Sequence, residues 1–126
     1  MNKDRPHEEN GDRSPVLDPA CVATMHRLNL VERLYPAFTA ELPERLAALR
    51  AAVAAADRSG VRQLTHRLRG SAAQLGATAL ARALYVIEEA ALDESSEVLE
   101  AASLGLDDLV RTTISALLNE VERVAR

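Results

Sequence analysis

The chain has 126 residues, 15 of them basic and 19 acidic for a net charge of −4; 48% are hydrophobic and only 2% aromatic. That length makes one ordinary domain, and Ala and Leu, a third of the residues, favour helices over the Val-, Ile-, Thr- and aromatic-rich strands of a β-sandwich or barrel. The acidic balance excludes a global basic field for nucleic acid, the single Cys21 excludes an internal disulfide and a cysteine-built zinc site, and no apolar run reaches the roughly 20 residues that span a bilayer.

Residues 1–15 hold seven charges, two prolines and a glycine but no aliphatic side chain, which predicts a disordered leader or linker with no apolar signal-peptide core. The domain proper is expected over 16–126. Asp18-Pro19 is a helix start, with Asp as N-cap and Pro in the first position. A short helix over about 19–28 follows, with Val22, Met25 and Leu28 on one side. From about Leu30 to Ala56, Leu34, Phe38, Leu42, Leu46, Leu49 and Val53 recur every three or four residues, as on one helical stripe. Pro36 and Pro43 fall inside that stripe and can bend or split it. Asp57-Arg58-Ser59-Gly60 is the next break, and a helix then runs to Leu75 and stops at Gly76. Another helix is predicted over 77–91, with Leu80, Leu84, Ile87 and Ala91 inward. After the turn Asp93-Glu94-Ser95-Ser96 a single helix is predicted over 97–124, with Val98, Ala102, Leu106, Leu109, Thr113, Leu117, Val121 and Val124 inward. The fold class is therefore all-α: an antiparallel four-helix bundle with a short extra N-terminal helix.

The chemistry sits in Thr65-His66-Arg67-Leu68-Arg69-Gly70-Ser71-Ala72-Ala73-Gln74-Leu75-Gly76-Ala77. At 100° per residue, Val61, Leu64, Leu68, Ala72 and Leu75 form the buried stripe, and His66 lies about 200° from Leu64 and Leu68. His66 therefore faces outward, beside Arg62, Gln63, Arg69, Gly70 and Ala73. Gly70 costs about 1 kcal/mol in mid-helix relative to Ala, and with Ala73 it makes a flat shelf that another protein's backbone can approach. Arg62 and Arg69 supply positive charge near the ring. An exposed imidazole beside cations and a shelf suits nucleophilic attack on a phosphoryl group. The plainer alternatives are a surface histidine, solvated arginines and a glycine that permits a close helix contact.

His66-Arg67-Leu68-Arg69-Gly70-Ser71-Ala72 resembles the phosphoacceptor signature H-x-L-[KR]-G-[SA]-[AS] of histidine phosphotransfer (HPt) domains. The likeness continues through Leu75-Gly76-Ala77, back to Asp57 and on to Ile87-Glu88, covering about residues 17–124. It departs at Arg69, where lysine is commoner, and at Tyr85, where many members have a smaller residue. What the resemblance implies is a cytoplasmic phosphorelay intermediate. His66 would accept a phosphoryl group on Nε2 from the aspartate of a response-regulator receiver domain and pass it to another receiver. Arg69 would stabilise charge, and Arg62, Gln63, Gly70 and Ala73 would meet the partner. The resemblance implies no metal or nucleotide of its own: Mg²⁺ would belong to the receiver. The chain would stand alone or form the C-terminal module of a hybrid sensor histidine kinase.

Two other readings stand beside this one. The first is a non-catalytic helical interaction domain that regulates a signalling partner; an intact His66 argues against it. The second is a kinase dimerisation domain, which carries an acidic residue after its histidine where this chain has Arg67. No G-x-x-x-x-G-K-[ST] loop occurs. Among the remaining residues, His7 falls in the leader, His26 suits a helix C-terminus and Cys21 suits packing. Glu88-Glu89 lacks the Glu-x-x-His pairs of a bundle di-metal site. Ser71 lies about 140° around the helix from His66, which rules out a Ser-His pair.

Overall fold

The computed structural model describes residues 15–93 and 95–125, so the expected leader, with His7, lies outside the described residues apart from Pro15. Six α-helices follow in order: α1 Pro19–Arg27, α2 Val31–Ala54, α3 Arg58–Gln74, α4 Thr78–Ala90, α5 Ser96–Ala102 and α6 Leu106–Ala125. Helices α2, α3, α4 and α6 each pack on two neighbours and close a four-membered ring. Two side-chain contacts show the antiparallel sense of α2 and α6: Arg50 near the end of α2 meets Asp107 at the start of α6, and His26, just before α2, meets Glu120 near the end of α6. Helix α1 lies against α2, and α5 packs on α4 and α2.

The predicted stripes fill the core. Leu42, Leu49, Leu80, Leu84, Ile87 and Leu117 are buried almost completely, each worth about 1.5–3 kcal/mol relative to exposure. Leu34 and Leu64 are only partly buried, and Leu28 is exposed. Periodicity passed over Tyr35 and Thr65, which are wholly buried. Their hydroxyls are satisfied: Tyr35 donates to the Leu75 carbonyl at 3.1 Å, and Thr65 to the Val61 carbonyl at 2.7 Å.

Neither proline splits α2, which runs unbroken through Pro36 and Pro43. An interior proline costs about 3 kcal/mol, and the burial of Tyr35, Phe38, Leu42 and Leu46 on both sides outweighs it. The last predicted helix is different: it breaks after Ala102, and Gly105 takes a left-handed φ of +81° before α6 begins. The break rotates α5 relative to the continuous pattern. Leu99 is buried in place of Val98, which is 42% exposed, and Val124 in the last turn of α6 is exposed as well.

Candidate functional site

Helix α3 is fixed at both ends. At its start the Asp57 carboxylate accepts from the Gly60 N–H at 3.0 Å, a side-chain cap typically worth about 1 kcal/mol. At its end Gly76 adopts φ +83°, and a Cβ there would stand 3.0 Å from both Cβ and Sγ of Cys21. Only glycine suits that turn. The Asp18 N–H donates to the Gly76 carbonyl at 2.8 Å, and Tyr35 holds the Leu75 carbonyl. Burial raises the Cys21 thiol above its ordinary pKa, with the Asp18 charge adding to the effect; its Sγ lies 3.6 Å from the Gln74 carbonyl. Cys21 thus packs against the end of α3, in keeping with its sequence reading.

His66 projects from the outer face of α3 with 71% of its side chain exposed. Its Nδ1 lies 3.3 Å from Glu88 Oε2, across the gap to α4, and 3.2 Å from Arg69 Nη2 on its own helix. These two contacts belong to opposite tautomers. With a proton on Nδ1 the ring donates to Glu88; without one it accepts from Arg69. Arg69 Nε also donates to the other oxygen of Glu88 at 3.0 Å, and the guanidinium sits over the Tyr85 ring, 5.3 Å from its centroid. Arg69 is therefore a held cation, tied by charge to one neighbour and by its face to another. Nε2 of His66 has no hydrogen-bond partner among the described residues.

The remaining predicted residues lie along the same face. Ser59, Arg62 and Gln63 line a shallow cavity of about 540 Å³ together with His66, Arg67 and Glu88. On the other side of the ring Gly70 is exposed, and a Cβ placed on it would meet nothing within 4 Å. Ala73 is exposed one turn further on. The structure thus brings His66, Arg69, Arg62, Gln63, Gly70 and Ala73 onto one surface.

Sequence reading gave Glu88 as a helix-surface or hydrogen-bonding residue and drew nothing from Tyr85. It missed that α4 supplies two partners to the site. Neither contact is visible in the periodicity of a single helix, because both depend on the register between α3 and α4. The one available signal was Ile87: a fully buried residue puts its neighbour Glu88 at the edge of the α3–α4 seam. Elsewhere His26 stands in the last turn of α1, as expected, and its Nε2 lies 2.8 Å from Glu120. Among the described residues no group of three or more His, Cys, Asp or Glu is placed to hold a metal ion.

Comparison with known proteins places this geometry in a family. A family described as "Hpt domain" matches residues 33–126, starting inside α2, so that α1 lies outside the match. Among solved structures, the crystal structure of histidine-containing phosphotransfer protein B (HptB) from Pseudomonas aeruginosa PAO1 is similar in fold. Its TM-score is 0.79 at 24% sequence identity, over 87% of this chain and 97% of that one. No curated protein matches the chain.

Proposed function

The chain belongs to the Hpt domain family, whose role is histidine phosphotransfer in phosphorelays, and from that premise we propose that His66 is the residue that carries the phosphoryl group. The observation that supports this most directly is the asymmetry of its ring: Nδ1 is engaged beside Glu88 while Nε2 has no partner among the described residues.

With the proton on Nδ1, Nε2 keeps a lone pair directed outward. That lone pair attacks the phosphorus of an aspartyl phosphate on a docked receiver. An N–P bond forms, the P–O bond to the aspartate breaks, and the receiver regains its carboxylate. No proton has to leave the ring. The positive charge that develops on the imidazole faces the Glu88 carboxylate, and Arg69 stands beside the phosphoryl oxygens. The reverse sequence, onto the aspartate of a second receiver, passes the group on and returns the neutral ring. The Mg²⁺ is assigned to the receiver; among the described residues Glu88 is the one carboxylate lining the cavity at His66. A hybrid sensor kinase fits as the source of the donor receiver, with the cytoplasm as compartment; no described helix is long and apolar enough to cross a membrane.

The test is label transfer from a phosphorylated receiver in Mg²⁺. The wild-type chain should acquire acid-labile label and lose it to a second receiver, and His66→Gln should acquire none. Label that survives His66→Gln, or that resists acid as a phosphoester does, refutes the assignment. Stable receiver binding without transfer favours the non-catalytic interaction domain.

A further inference from the structure

Helix α3 carries four arginines, Arg58, Arg62, Arg67 and Arg69, and no acidic residue, although the chain as a whole has a net charge of −4. Arg69 is held by Glu88 and Tyr85, and Arg58 donates to the Asp93 carbonyl at 2.6 Å. Arg62 and Arg67 are exposed and have no partner among the described residues. Both line the cavity that opens from His66 toward the start of α3. From Ser59 to His66 that cavity follows the helix for about 10 Å at 1.5 Å per residue, too far for a single phosphoryl group bound at Nε2 to fill. On the opposite side of His66 the surface is bare, with Gly70 open and Ala73 exposed.

We infer that Arg62 and Arg67 form a docking cleft for carboxylates on the rim of the partner receiver, and that this cleft sets both the choice and the orientation of that partner. The inference rests on the phosphotransfer reading above and deepens it. The acidic rim seats toward the N-terminal end of α3, and the partner's closest backbone approach falls over Gly70 and Ala73. With the unpaired arginines on one side of the ring, and small residues beside the Glu88-paired Arg69 on the other, a receiver docked the wrong way round leaves both arginines unpaired. The two guanidiniums act on encounter and orientation, where exposed charges have their main effect. They do not touch the reacting atoms.

The experiment uses the full chain and a panel of purified receiver domains charged with acetyl phosphate in Mg²⁺. The receiver that wild type discharges fastest becomes the probe. The double variant Arg62→Glu/Arg67→Glu should lose about tenfold to a hundredfold in transfer efficiency at low ionic strength. The gap should shrink as salt approaches about 1 M, where the screening length falls to about 3 Å. The circular dichroism spectrum should match wild type. Equal efficiency at low salt, or a loss that salt does not shrink, overturns the inference. Failure of the underlying reading looks different: wild type discharges no receiver, or His66→Gln still takes label, and the cleft then loses its role as well.

Discussion

Replacing Glu88 with Ala removes the acceptor for the Nδ1 proton of His66 and, at the same time, the anion that holds Arg69. A hydrogen bond to a charged group contributes about 1.5–3 kcal/mol. Here the contact is long, 3.3 Å, and the ring is 71% exposed, so the lower end, about 1.5 kcal/mol, applies. That is about a tenfold change in the ratio of the two tautomers, toward the form whose proton blocks Nε2. Released from Glu88, Arg69 can donate to the bare Nδ1, which pushes the ratio the same way. Transfer from a phosphorylated receiver should slow by about tenfold, and Glu88→Gln, which keeps a neutral acceptor, should fall between. Nitrogen chemical shifts of His66 report the tautomer, and rapid-quench transfer under single turnover reports the rate. A wild-type tautomer ratio in Glu88→Ala refutes the reasoning, even if transfer slows, because the effect would then run through Arg69 alone.

Gly70→Ala should stabilise the fold by up to about 1 kcal/mol, since its Cβ meets nothing. Gly70→Gln should block transfer with the circular dichroism spectrum intact. Arg69→Ala should slow transfer about tenfold or more. Arg69→Lys should recover only part of that, because a point charge cannot pair with Glu88 and stack on Tyr85 as a planar guanidinium does. Burial lifts the Tyr35 phenol from its ordinary pKa of 10.0 to about 12, helped by nearby Cys21 and Glu120. The folded chain then keeps a proton that the unfolded chain releases, so this contribution is complete below pH 10.0 and is lost as pH rises toward about 12. Denaturant melts across that range should steepen in their loss of stability by about 1.4 kcal/mol per pH unit, and Tyr35→Phe should abolish that component.

The parts of the fold that could be read from the sequence were those governed by one helix at a time. The stripe of Leu42, Leu46, Leu49 and Val53, the Asp18 cap and the Gly76 stop each depend on neighbours within a turn or two, and all stand in the structure. The break at Gly105 escaped notice because a lone glycine within a helical pattern is tolerated at a cost of about 1 kcal/mol. Its left-handed φ lies where the chain leaves α5, packed on α4 and α2, to start α6, a turn that no local pattern states. The site divides in the same way. His66 facing outward follows from its angle to Leu64 and Leu68. Glu88 reaches it from α4, 22 residues further along the chain, and Tyr85 reaches Arg69 from the same helix, both through a packing register that a single sequence leaves unspoken.

Fastening α3 at both ends has a consequence for exchange between partners. With Asp57 closing its first turn and Tyr35 and Asp18 gripping its last, the helix offers little slack for adjustment when a receiver arrives. Little ordering of α3 is then needed on docking, which keeps its entropic cost low. On the proposed function, donor and acceptor receivers meet the same preformed face in turn, and the direction of flow is decided by which aspartate holds the phosphoryl group less tightly.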